Sequence, residues 1–317
     1  MAKAEAAGGT NTRSDRSGPA PARPSSSRSI GDMWAWLALA VGIAAGAGWV
    51  PAAQKLSERI PNTDPGPAMA LFDLLVFGPL IAIAVVLGLL SRKPVLRAGT
   101  RPVLWTFAGL AWGTVAIAST TGFAWLSGGL HPAVNPLPVV PRLIMIGIAL
   151  TVLQAGAEEV LFRGWLQPAL IERIGRSWGV LAGAVIFAGF HALAATNDPI
   201  SLANLVLGGL WFGLLALRSG GILAPLAAHF AYNVIEDCGL GLVPNGGPNG
   251  WVGPLGALHD LDLIGAPLWG STAEGLNASL GTTAALVALI LPLLPKPARS
   301  TPPRTVARGP LPDHRLV

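Results

Sequence analysis

Charge is scarce in this chain: only 12% of its 317 residues are Asp, Glu, Lys or Arg, about half the 25% of an ordinary soluble domain. Hydrophobic residues make up 52%, and the mean hydropathy is +0.56. This balance excludes a soluble globule. The single cysteine, Cys238, excludes an intrachain disulfide, a cysteine zinc cluster and a CxxC redox pair, and its expected place is that of a small buried apolar side chain. No HExxH is present, so the familiar zincin helix is absent. No internal repeat suggests a transporter of two inverted halves. Although the pI is near 10.1, the basic residues do not cluster as a nucleic-acid face requires, and no nucleic-acid partner is expected. What the chain has is 40 Gly and 11 Trp against one Tyr, a composition suited to lipid as the main solvent.

The expected fold is therefore an all-α polytopic membrane protein. A hydrocarbon core of about 30 Å needs about 20 apolar residues per helix. About eight segments qualify, near 33–53, 69–91, 103–127, 141–174, 177–195, 200–217, 222–243 and 276–294. The flanks, 1–32 and 295–317, are rich in Pro, Ser and Arg without apolar periodicity, and read as disordered basic tails. Residues 33–140 then form the N-terminal helices, 141–243 a core with the ionisable residues, 244–275 an external loop and 276–294 the last span. Most of the 21 Lys and Arg fall in the two tails, the 92–101 loop, the 173–176 turn and at Arg218. If the tails are cytoplasmic, all these sites lie inside, as the positive-inside rule requires. The 244–275 loop, with Asp260, Asp262 and Glu274 but no Lys or Arg, lies outside. Seventeen of the basic residues are Arg, and with abundant Ala and Gly they suggest a GC-rich bacterial gene and a bacterial cell membrane.

Ionisable side chains inside a bilayer are costly, and each is a functional candidate. Those that form motifs share one contiguous third of the chain, in Glu158-Glu159-Val160-Leu161-Phe162-Arg163, in Phe187-Ala188-Gly189-Phe190-His191 and in His229-Phe230-Ala231-Tyr232-Asn233. Glu159 and Arg163 are four apart on a helix, acid first, and can neutralise one another. Glu158 is rotated by about 100° from that pair. Its same-face neighbour one turn back is Gln154, so it has no local cation and is suited to proton transfer. Pro168 cannot donate to the Gly164 carbonyl, and a bend is expected just after Arg163.

With a hairpin near Gly175, Glu158 lies 17 residues before the turn and His191 lies 16 after it, nearly level. A straight seventh helix leaves His229 about 12 Å shallower, a gap that tilt or a kink at Pro225 can close. Each group has a structural role open to it: Glu158 and Glu159 as caps, His191 as a bundle histidine, His229 and Asn233 as interhelical glue. Taken together, Glu158, His191, His229 and Asn233 on three spans point to one intramembrane pocket.

Glu158-Glu159-xxx-Arg163, Phe187-xxx-His191 and His229-xxx-Asn233, in that order on successive helices, resemble the CPBP family of intramembrane proteases. That family joins CAAX prenyl protease type II enzymes with bacteriocin-processing and self-immunity proteins. The resemblance covers roughly residues 141–240. It implies an eight-helix membrane fold and a peptide or protein substrate cleaved in or near the lipid bilayer.

By that resemblance Glu158 is the general base activating water, assisted by His191 as a catalytic or metal-site residue. His229 and Asn233 stabilise the oxyanion, and Glu159 with Arg163 hold the helices. The family is usually described as metalloproteases. His191, His229 and Glu158 can supply three ligands to zinc or another divalent metal, although a ligating Glu158 is less available as base. Bacteria generally lack protein prenylation, so a CAAX substrate is not implied. The alternative is a non-proteolytic membrane scaffold or bacteriocin self-immunity protein on the same fold.

Overall fold

The computed structural model describes residues 26–61, 64–134, 136–194, 197–242 and 255–294, with side chains from Met33 onward. Its helices are α1 (Ser26–Ser57), α2 (Pro65–Leu90), α3 (Pro102–Leu126), α4 (Pro141–Glu159), α5 (Gln167–Ile174), α6 (Arg176–Leu193), α7 (Pro199–Ser219), α8 (Leu223–Val234) and α9 (Leu280–Ile290). Two π-helical stretches extend this framework, Val160–Leu166 between α4 and α5 and Ile235–Gly239 after α8. Backbone proximity divides the chain into Met1–Val41 and Gly42–Val317. The second unit holds every residue of the site discussed below.

Proline opens α2, α3, α4 and α7, at the one helical position where its missing N–H costs nothing. Asp198 caps α7 by accepting from the Ile200 and Ser201 amides. Among the described residues six helical segments are long and apolar enough to cross a membrane: Met33–Ser57, Pro65–Leu90, Pro102–Leu126, Pro141–Ile174, Arg176–Leu193 and Pro199–Ser219. The protein is an integral, all-helical membrane protein.

Of the eight expected spans, the last two are shorter in helix than the apolar segments that suggested them. The segment 222–243 is helical only through α8 and the π stretch to Gly239. In 276–294, residues up to Ala278 form a 3₁₀ turn and Ser279 is an extended cap, which leaves 11 residues in α9. At about 1.5 Å per residue such a helix is near 16 Å long. Helix α1 begins at Ser26, so the end of the expected N-terminal tail is helical. Residues 1–25, 243–254 and 295–317, which include most of both tails and part of the 244–275 loop, lie outside the described residues.

The loops group at two ends of the bundle, as the charge pattern requires. At one end Lys93 pairs with Glu172, the Thr100 and Ile222 amides donate to the Ser219 and Arg97 carbonyls, and Arg218 donates to the Leu293 and Leu294 carbonyls. The basic 92–101 loop, the 173–176 turn and Arg218 thus share one end. At the other, Arg142 pairs with Asp64, and the Asn197 and Asp198 amides donate to Glu274. There Leu130–Pro132 (β1) and Leu261–Leu263 (β2) form an antiparallel ribbon with Leu130 opposite Leu263.

Helix α3 packs along α8, and small residues allow it. A Cβ added to Gly109 or Gly113 would collide with the backbone carbonyls of Ala224 and Ala228, both alanines being fully buried. Backbones approach this closely only along a small-xxx-small seam. Gly113→Ala should therefore destabilise the protein by about 1–3 kcal/mol, read as a lower melting temperature in detergent. Because α8 carries His229 and Asn233, the site should loosen in parallel.

Candidate active site

The site starts where α4 gives way to the first π stretch. Pro168 has no amide to offer the Gly164 carbonyl. The chain widens to i→i+5 bonding, as in the Gln167 amide donating to the Phe162 carbonyl. The expected bend is thus accommodated as a π segment, a form frequent at functional sites. Gly164 meets the Val95 carbonyl of the loop after α2, which holds the widened turn in place.

Glu159, 0% exposed, is at the centre. Its Oε1 accepts from Arg163 Nη1 at 2.9 Å and from His229 Nδ1 at 3.0 Å. Arg163 also donates through Nη2 to the Gly209 carbonyl of α7 at 3.1 Å. Its guanidinium lies 4.8 Å from the Phe187 ring and 5.2 Å from the Phe212 ring, within cation–π range. His229 stacks on Phe212 with centroids 4.7 Å apart. A carboxylate only accepts hydrogen bonds, so the proton sits on His229 Nδ1 and Nε2 is the nitrogen left for other partners.

That nitrogen faces Glu158 Oε2 at 3.9 Å, too long for a hydrogen bond and within the span of one bridging water. Glu158 is 7% exposed and Oε2 has no partner. His191, half-buried on α6, donates from Nδ1 to the Phe187 carbonyl at 3.0 Å, which leaves its Nε2 available. Glu158, His191, His229 and Asn233 all line one cavity of about 90 Å³, with Gln154 beside them. The four positions picked out in the sequence are therefore in one place, and the shallower start of His229 does not keep it out.

The structure joins Glu159 to His229, a link that local helix spacing cannot reveal because 70 residues separate them. Gly209 and Gly213 were not singled out in the sequence either. Their carbonyls accept from Arg163 and from Gln167, tying the π segment to α7. A further carboxylate in the cavity wall, Glu236, carried no motif. Its only sequence signal is the spacing from His229 and Asn233, seven and three residues back.

His191, His229 and Glu158, the three side chains considered for zinc, line the same cavity. Among the described residues no three His, Cys, Asp or Glu side chains are grouped so as to hold a metal ion. His229 and His191 each donate through Nδ1, to Glu159 and to a backbone carbonyl, so Nε2 is the ring nitrogen each has open. Cys238 is free and buried, against Gly147.

Residues 140–235 match the family model described as Type II CAAX prenyl endopeptidase Rce1-like. The match takes in just under a third of the chain, from the head of α4 to the first residue of the second π stretch. It contains Glu158, Glu159, Arg163, His191, His229 and Asn233 and stops one residue before Glu236. No curated protein matches the chain.

Proposed function

From the premise that residues 140–235 form an Rce1-like domain of the type II CAAX prenyl endopeptidase family, we propose that the protein is an intramembrane endopeptidase in which Glu158 activates the water. The observation that carries this reading is Glu158 Oε2, buried without a partner and 3.9 Å from His229 Nε2 in a cavity that also holds His191 and Asn233. A carboxylate in an apolar wall with one face open to a small polar cavity is placed to accept a proton.

In this mechanism Glu158 takes a proton from water as the oxygen attacks the scissile carbonyl. The oxyanion accepts from the Asn233 side-chain amide, fixed before the charge develops, and from His229 Nε2 when the ring carries a second proton besides the one on Nδ1. Glu159 holds the His229 ring from behind, a positioning role like that of the buried carboxylate in a catalytic triad. Glu158 then returns its proton to the leaving amine, and His191 Nε2 is available to hold the water. These steps are assigned to the chain's own side chains; among the described residues no three His, Cys, Asp or Glu are grouped to hold a metal ion.

The basic end of the bundle is assigned to the cytoplasm by the positive-inside rule. The substrate is a peptide that reaches the cavity from the membrane. Purified protein in detergent should cleave members of a library of membrane and prenylated peptides. Addition of a chelator should leave the wild-type rate unchanged. A rate that collapses with chelator and returns with zinc would replace the glutamate-only scheme by a metal one. A well-folded wild type that cleaves no member of the library would reverse the protease reading.

A further inference from the structure

Along α8 and the π stretch after it, His229, Asn233 and Glu236 follow one another on the wall of a single cavity. At helical rise Glu236 sits about 10 Å beyond His229, too far to act on the bond being cut. It is 4% exposed, and its buried Oε1 has no partner. Trp211 Nε1 and Tyr232 Oη in the same wall also lack a hydrogen-bond partner, whereas Asn204 and Thr282 are engaged elsewhere. The Asn204 amide donates to the Asn277 and Ser279 carbonyls and accepts from Thr283, and Thr282 donates to the Leu276 carbonyl.

No Lys or Arg is near Glu236 in sequence. From Ser219 to Pro295 there is no Lys or Arg, and no ion pair involves Glu236 among the described residues. The next residue, Asp237, is half-buried, with its Oδ1 unpartnered. Trp211 and Tyr232 line the same wall, and aromatic rings beside a carboxylate favour a cation.

A buried carboxylate without a counter-charge is costly, and a cationic ligand removes that cost. We propose that Glu236 is a specificity subsite that takes a Lys or Arg side chain of the peptide, about three residues from the scissile bond at an extended spacing near 3.3 Å per residue. This rests on the endopeptidase reading and names its substrate class: a membrane peptide with a basic residue close to the cut.

The test starts from a peptide that full-length wild type cleaves. Lys, norleucine and Glu are placed in turn at each position within four residues of the cut on both sides, and kcat/KM is measured for wild type, Glu236→Gln and Glu236→Lys, with folding checked by thermal melting. Wild type should prefer Lys over norleucine at one position by about 10- to 100-fold, the range of a charge-assisted hydrogen bond. In Glu236→Gln that ratio should fall to near one, and in Glu236→Lys the preferred residue should become Glu. A wild type with no preference at any position overturns the subsite, and this arm needs no variant to fold. A preference that survives Glu236→Gln also overturns it, since a merely neutral acid would be mimicked by glutamine. If wild type cleaves no peptide at all, the endopeptidase reading falls and the subsite with it. If wild type cleaves, Glu158→Gln does not, and no preference appears, the subsite alone falls.

Discussion

Glu158→Gln should lower kcat/KM by about a thousandfold, within the range that a positioned general base supplies, while the protein melts no lower than wild type. Both halves follow from the same atom. Glu158 Oε2 is buried with no hydrogen-bond partner and lies 3.9 Å from His229 Nε2, so the isosteric amide loses no hydrogen bond at that oxygen. Replacing an unpaired buried charge by a neutral group removes a desolvation cost. The predicted pattern of lost turnover with equal or higher thermal stability is the mark of a residue held at the expense of stability for its chemistry. Measuring peptide cleavage and detergent melting on one preparation checks it. Unchanged cleavage would remove Glu158 from the mechanism, and a melting temperature that falls by several degrees would make it a structural group.

Arg163→Met should have the opposite signature, with the loss falling first on folding. Arg163 gives Glu159 a permanent counter-charge, at 2.9 Å, and ties the π segment to the Gly209 carbonyl. Glu159 is fully buried, and removing one partner of a buried pair costs about 3–5 kcal/mol because the other charge is stranded. Thermal melting should show this as a large drop or as failure to recover folded protein. Pairing Arg163→Met with Glu159→Gln should restore much of the stability, since the stranded charge is then gone. The double variant should still cleave poorly, because His229 Nδ1 loses the carboxylate that orients it. A double variant as unstable as Arg163→Met would show that the Gly209 contact and the packing around the guanidinium dominate instead.

Much of this site was legible from residue spacing. Glu159 and Arg163 are four apart on a helix, and the chemistry of acid before base settles that they pair. Glu158, one residue earlier, must then face away from Arg163. The missing Pro168 amide marked the place where regular α-helix could not continue, although whether the chain would kink or widen into π bonding was not in the local pattern. Helix packing, with α4 against α8 and α6 against α7, decides which faces meet. The last two apolar segments were read too long because hydropathy does not distinguish helix from the 3₁₀ turn and extended cap that precede α9.

Composition alone determined that this chain lives in lipid, since so few charges and so many apolar residues leave no other solvent for its surface. The distribution of Arg and Lys determined which loops share an end of the bundle, because charge resists transfer across the membrane wherever it occurs. Spacing and identity marked the ionisable residues of three motifs in one third of the chain as the candidate site. Tertiary structure alone decided that Glu159, not Glu158, holds His229, and that Glu158 is left without a partner. It decided too that Glu236, outside every motif, opens into the same cavity. The reason is physical. Helix periodicity constrains neighbours up to one or two turns apart, whereas a hydrogen bond across 70 residues, or a buried oxygen with nothing to bond, exists only once the helices have packed.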